Sequence, residues 1–267
     1  VYGEESDPYL RALSDYANIL TRQGDSDKKE AERIYSRLID INQKSGDTDA
    51  LLTDQGLLLN LLIGEDRLEE AEQLLKRHIK SLQEREFSLE SIYRAESKLG
   101  LIYQQTGRSL DAERVLSRLY QNQVDLQGEM HEDTVATATK LTAVYTDLKN
   151  HQQAQRFGLI AVNGYTALFG GDHYDTAVAV ANLAYAYEAA GDFDLALKYL
   201  DSSTDLFRRL GYPRYAATNL NKAGNIFHGH GDYSLAKESF ESAVELCESM
   251  YGVEHSETMV NKYCLGR

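Results

Sequence analysis

One small residue returns along this chain at nearly even steps. Aligning the alanine that opens each amphipathic stretch gives Ala31, Ala71, Ala112, Ala154, Ala196 and Ala236, spaced 40, 41, 42, 42 and 40 residues apart. A fixed period in that range is the signature of stacked supersecondary units, each too small to bury its apolar face alone. The 267 residues therefore read as one elongated array rather than as separate globular domains.

Other positions recur with a physical role around this anchor. Nine residues earlier stand Leu62, Tyr103, Tyr145, Tyr187 and Phe227, large side chains that plug the space between paired helices. Leu58, Leu99, Leu141 and Leu183 fall thirteen residues before it, and Gly100, Ala184 and Gly224 twelve before, where a small residue lets two helices approach. Gly107, Gly191 and Gly231, five before, supply a helix C-terminal turn. Four after come Tyr35, Leu75, Leu116, Leu200 and Phe240, on a second helix. Each unit is thus a helix, a tight turn and an antiparallel helix.

The small and aromatic order in "LGLIYQQTGRSLDAERVL" and "LAYAYEAAGDFDLALKYL" resembles the tetratricopeptide repeat (TPR). The period exceeds the usual length of about 34 residues, and the excess lies after the second helix. In that respect, and in its GxxHPxT-like junctions, the chain is similar to the kinesin light chain type of TPR, with Glu132, Tyr174 and Ser256 in place of the junction proline. The resemblance implies an all-α, right-handed TPR superhelix, a single solenoid domain over 1–267. Its six helix pairs lie near 3–46, 47–87, 88–127, 128–170, 171–211 and 212–252, with a partial repeat or capping helix over 253–267. The first unit, with two extra turn residues in "GDSDKKEA", and the fourth, with Lys149 and Gly158 at positions usually held by Gly and Leu, should be the least regular. "VYGEESDPYL" opens at the same junction type, which suits a segment excised from a longer array.

Composition limits the function classes. Prolines number two, Pro8 and Pro213, and no apolar run reaches the roughly 18 residues of a membrane span. A formal charge of -14 opposes phosphate backbones and anionic lipid, so neither nucleic acid nor membrane is an expected partner. Cys247 and Cys264 are too few for a disulfide framework or a cysteine-rich zinc site. They fit a reducing compartment, and no targeting segment is visible, so the expected location is cytoplasmic unless the chain is processed or excised.

The stretch "FGGDHYDT" has the look of a catalytic or metal site. It is one of three copies: Gly128, His131, Asp133 and Thr134; Gly170, His173, Asp175 and Thr176; Gly252, His255, Glu257 and Thr258. Metal ligands must converge to about 2 Å from one ion, whereas points on neighbouring helices stand about 8–10 Å apart. The copies cannot share a metal, and one copy is an incomplete ligand set. The structural reading makes Gly end one helix while the acidic residue and Thr cap the next, with His bridging neighbouring loops. His228 and His230 form a His-x-His that reads as a polar turn or an adventitious metal contact. GxSxG, P-loop and HExxH patterns are absent. The expectation is a non-enzyme with no catalytic residue, metal or cofactor.

The resemblance also places binding on the concave face lined by first helices. The groove positions it implies are Arg94, Ser97, Lys98 and Leu101; Ala136, Thr139, Lys140 and Ala143; Val178, Ala181, Asn182 and Tyr185; Thr218, Asn221, Lys222 and Asn225. One row reads Lys98, Lys140, Asn182, Lys222. Asn amides can hydrogen-bond a peptide backbone and Lys can pair its carboxylates, so an extended peptide or protein segment, acidic where Lys engages it, is the expected ligand. Arg94, Asn221, Asn225 and the apolar surface of Tyr185 complete the candidate set. The competing reading makes these residues solvated, or partners of Asp and Glu on adjacent helices. Two alternative functions stand beside peptide capture: a regulator whose superhelix pitch responds to peptide, and a scaffold that self-associates through its terminal repeats.

Overall fold

In a computed structural model of the chain, residues 7–84 and 88–265 are described. The opening junction before Asp7 and the side chains of Glu257 and Cys264 lie outside the described residues. Thirteen α-helices and no strand occur among the described residues. The chain divides into two compact units, Val1–Gly107 and Arg108–Arg267. Unit 1 holds α1 (Asp7–Leu20), α2 (Asp25–Ser45), α3 (Thr48–Gly64), α4 (Leu68–Glu84) and α5 (Leu89–Gln105). Unit 2 holds α6 (Ser109–Gln127), α7 (Glu132–Asp147), α8 (His151–Phe169), α9 (Tyr174–Ala190), α10 (Phe193–Arg209), α11 (Pro213–Gly229), α12 (Tyr233–Tyr251) and α13 (Ser256–Leu265).

The anchor alanines explain why the helices pair. Ala31, Ala71, Ala112, Ala154 and Ala196 are fully buried and Ala236 is nearly so, each in the first turn or two of a second helix. A methyl group is the largest side chain that leaves the neighbouring helix in contact at such a point. Five residues before five of these anchors the backbone turns left-handed: Asp66, Gly107, Lys149, Gly191 and Gly231 have φ of 59, 72, 57, 80 and 82°. Gly takes this conformation without a Cβ penalty, and Asp66 and Lys149 take it with one. The turn of repeat four is therefore kept despite its lysine, and its helices α7 and α8 pack along their length.

Gly158 is likewise a packing device. A Cβ placed on it would lie 2.8 Å from Leu183 Cδ1, so α8 and α9 meet where other second helices carry Tyr, Leu or Phe. Gly164 is tighter, with a Cβ only 2.5 Å from Val135 Cγ2 on α7. Within repeat six, Gly224 of α11 receives the Phe240 ring of α12, at 2.7 Å from a built Cβ. The irregularity expected of repeat four is thus a substitution of partners: a glycine on one helix, a branched side chain on its neighbour.

Gly164→Ala should destabilise the protein by about 1–3 kcal/mol, because the β-branched Val135 has no flexible end to move aside. Gly56→Ala, within α3 and with nothing within 4 Å of its Cβ, should stabilise by up to about 1 kcal/mol. Urea titrations of the two full-length variants followed by circular dichroism check the opposite signs.

Candidate functional site

The histidine junctions form a repeated cap. Gly128, Gly170 and Gly252 adopt φ of 88, 88 and 89°, with ψ of 164, 173 and 164°. That backbone region belongs essentially to Gly alone. Three residues on, His131 and His173 occupy the N-caps of α7 and α9, and each imidazole Nδ1 accepts the backbone N–H of the residue two positions later, at 3.3 Å. Thr176 and Thr258 are buried and donate their hydroxyls back to the Gly170 and Gly252 carbonyls at 2.9 and 2.8 Å. The division of labour differs from expectation. His caps the helix, Thr ties down the preceding glycine, and the imidazoles of His173 and His255 pack on Phe169 and Tyr251 at 4.4 and 4.7 Å rather than bridging loops.

Among the described residues no group of three or more His, Cys, Asp and Glu side chains is arranged to hold a metal. His230 Nδ1 lies 2.7 Å from the Ile226 carbonyl and its ring meets Phe193 edge-on, while His228 packs against Tyr233. Both histidines thus serve the α11–α12 turn.

Unit 2 contains a groove of about 550 Å³ whose walls include Asp147, Asn182, Tyr185, Glu188, Phe193 and Lys222. It brings together three of the expected site residues. Tyr185 is its fixed point. The phenol donates to Asn219 Oδ1 at 2.9 Å, Asn219 Nδ2 donates to Ser203 Oγ at 3.0 Å, and the Ser203 hydroxyl donates to the Ala177 carbonyl at 2.8 Å. Asn219 and Ser203 are buried, so this chain of bonds is shielded from water and each bond polarises the next. Burial, with the Glu188 charge, pushes the Tyr185 phenol up to about 12, which keeps it neutral. The Lys222 ammonium sits 4.6 Å from the centre of the Tyr185 ring and 3.0 Å from a Glu188 carboxylate oxygen. Asn182 makes no side-chain hydrogen bond among the described residues and presents a whole carboxamide to the groove.

The remaining expected residues are placed differently. Lys140 is half-buried, and its ammonium turns back to the Ala136 carbonyl of its own helix at 3.4 Å. Burial lowers its pKa, against the opposing charge of Asp133. Asn221 donates to Asn261 Oδ1 on α13, and its own Oδ1 is buried without a partner. Asn225 is exposed on α11. In unit 1, Arg94 pairs with Glu90 one turn away, and Lys98 donates to Asn60 Oδ1 at 3.2 Å.

A family model described as tetratricopeptide repeat matches residues 134–209 and 178–249, the stretch that carries this groove. Residues 134–249 of the chain are tetratricopeptide repeats. Among its relatives, "Tetratricopeptide repeat protein 19, mitochondrial" of Rattus norvegicus is 25% identical over 252 residues, covering 84% of this chain. The chain spans about 67% of that relative's length, and 62% of the Homo sapiens counterpart. Among solved structures, BtubC (BKLC) from P. vanneervenii superposes with a TM-score of 0.71 at 18% identity, over 84% of this chain and 92% of that one. The TPR-like repeats of a putative kinesin light chain from Podospora anserina give 0.64 at 18% identity, over 79% and 99%. A Rap protein complexed with competence and sporulation factor gives 0.59 at 16%, over 97% and 70%. At these identities the structures show a shared fold, and TPR proteins of this fold are protein–protein interaction modules.

Asn219 and Ser203, which hold Tyr185 in place, are residues that groove positions alone miss. Asn219 stands seventeen residues before Ala236, where other repeats carry Asp54, Ala95, Thr137 and Ala179. A carboxamide among small residues at an inward position was the available signal. For the junctions, His173→Ala should cost about 1 kcal/mol of stability through loss of the cap, and His173→Asn should recover most of it. Thermal unfolding of both variants is the measurement, with equal losses counting against the capping role.

Proposed function

We propose that this chain is a non-catalytic module that captures an extended peptide or protein segment, with the unit 2 groove as the seat of recognition. The observation that carries this reading is the Tyr185 constellation. A neutral phenol locked by a buried hydrogen-bond chain costs little entropy to present as an apolar wall. Beside it Asn182 can donate to and accept from a peptide backbone, as a carboxamide does in two directions at once. Lys222 is held by Glu188, so an acidic residue of the ligand gains the ammonium by exchange for an internal partner. Lys140 and Asn221 then support the groove helices, and Asn225 extends the polar rim. In unit 1, Arg94 and Lys98 offer a separate charged surface. That a protein of the same fold is solved complexed with competence and sporulation factor supports capture as a use of this architecture. The module would work in a reducing compartment such as the cytoplasm, where Cys247 remains a buried free thiol.

Peptides selected from a random displayed library against the full chain should lose at least about tenfold in affinity, roughly 1.4 kcal/mol, on the double change Asn182→Ala and Lys222→Glu. Tyr185→Phe removes the anchoring bond and should weaken binding less. Selected peptides that bind the double variant as tightly as the original chain would sink the groove reading.

A further inference from the structure

The unit 2 groove holds three charges: Asp147 from α7, Glu188 from α9 and Lys222 from α11. Two carboxylates thus stand against one ammonium, in a chain of formal charge -14. The ammonium lies across the Tyr185 ring, 4.6 Å from its centre, and 3.0 Å from Glu188. The side chains of the ion pair keep 37 and 27% of their surface exposed, so a ligand in the groove reaches both. A pair this open to water is weakly held and separates readily. The ring is fixed independently of Lys222, because the Tyr185 hydroxyl is bonded to buried Asn219.

What Lys222 occupies is a seat for a cation. An aromatic face attracts positive charge, and the neighbouring carboxylate completes the seat. When an acidic residue of a ligand draws the ammonium away, the ring face and Glu188 are uncovered together, with Asp147 lining the same groove. A ligand that brings only a carboxylate leaves Glu188 without its cation and adds a further negative charge beside it. A ligand that brings only a cation competes with a lysine tethered at the spot, whose effective concentration is high. A ligand that brings both exchanges one ion pair for two. Guanidinium suits the vacated seat better than ammonium, since it is flat enough to stack on the ring and forked to meet a carboxylate with two N–H groups.

We propose that the segment recognised here carries an acidic residue and an arginine two positions apart, the carboxylate taking Lys222 and the guanidinium replacing it on Tyr185 and Glu188. This rests on the peptide reading of the groove and adds the ligand's charge pattern to it. In an extended segment, side chains two positions apart share a side and stand about 6.5 Å from each other. Both then enter a groove of about 550 Å³.

Peptides selected from a displayed library on the full chain should carry Asp or Glu with Arg two positions away. Replacing that arginine by citrulline, its neutral isostere, should weaken binding to the original chain at least about tenfold. On Glu188→Gln, which keeps the side chain's shape, the same replacement should cost less than about twofold, and titration calorimetry reads this coupling. Equal losses on the two chains overturn the proposal, as do groove-dependent peptides with no arginine at that spacing. In both cases affinity that still falls on Asn182→Ala with Lys222→Glu leaves the peptide groove standing, whereas selected peptides that ignore that double change sink both readings.

Discussion

A left-handed turn followed five residues later by a buried methyl group is the constraint on which the repeats depend. The turn reverses the chain, and the methyl, as at Ala154 or Ala196, brings the returning helix into contact with the one before it. With those two points set, the plug side chains and the leucines on either side have nowhere else to go. The free energy comes from burying them, since helices of 10–21 residues draw most of their stability from packing of an apolar face. The backbone cost at Asp66 and Lys149, where a side chain occupies the left-handed region, is carried by that packing.

The proposed function rests on polar exceptions to an apolar rule. Repeats tolerate almost any side chain on the exposed face of a first helix, so such residues carry little structural information. A buried polar group is different, because leaving it without a partner costs about 1–3 kcal/mol. Asn219 and Ser203 have partners, and their bonds hold Tyr185 against the groove. The Tyr35 hydroxyl has none among the described residues. The two units thus present different chemistry from the same repeat plan: a fixed aromatic wall in one, an unmet donor in the other.

Much of this plan was legible in the amino-acid order. The anchors, plugs and turn positions are periodic, and periodicity survives without knowledge of tertiary contacts. The histidine motif was legible as structure because it recurs at the repeat spacing. Its internal roles were not, since whether His or Thr caps the helix is a matter of side-chain geometry, which no residue identity reports. The groove was legible only in part. Asn182, Tyr185 and Lys222 share it as their spacing suggests, but the pairing of Lys222 with Glu188 and the turning back of Lys140 are rotamer choices made among close alternatives. The hydrogen-bond chain behind Tyr185 joins residues 185, 219, 203 and 177, too far apart in order for any local pattern to reveal.

Repeat four shows what it takes for a repeat array to stay a set of parts. Gly158 receives Leu183 from the following repeat, and Gly164 receives Val135 from its own first helix. A segment moved elsewhere in the array would bring a glycine without its leucine, or a leucine facing a full-sized neighbour, and would leave a void or a clash. Repeats four and five are therefore one unit of inheritance: recombination or design that shuffles this array can cut before His131 or after Tyr212, but a cut between Val135 and Leu183 separates a lock from its key.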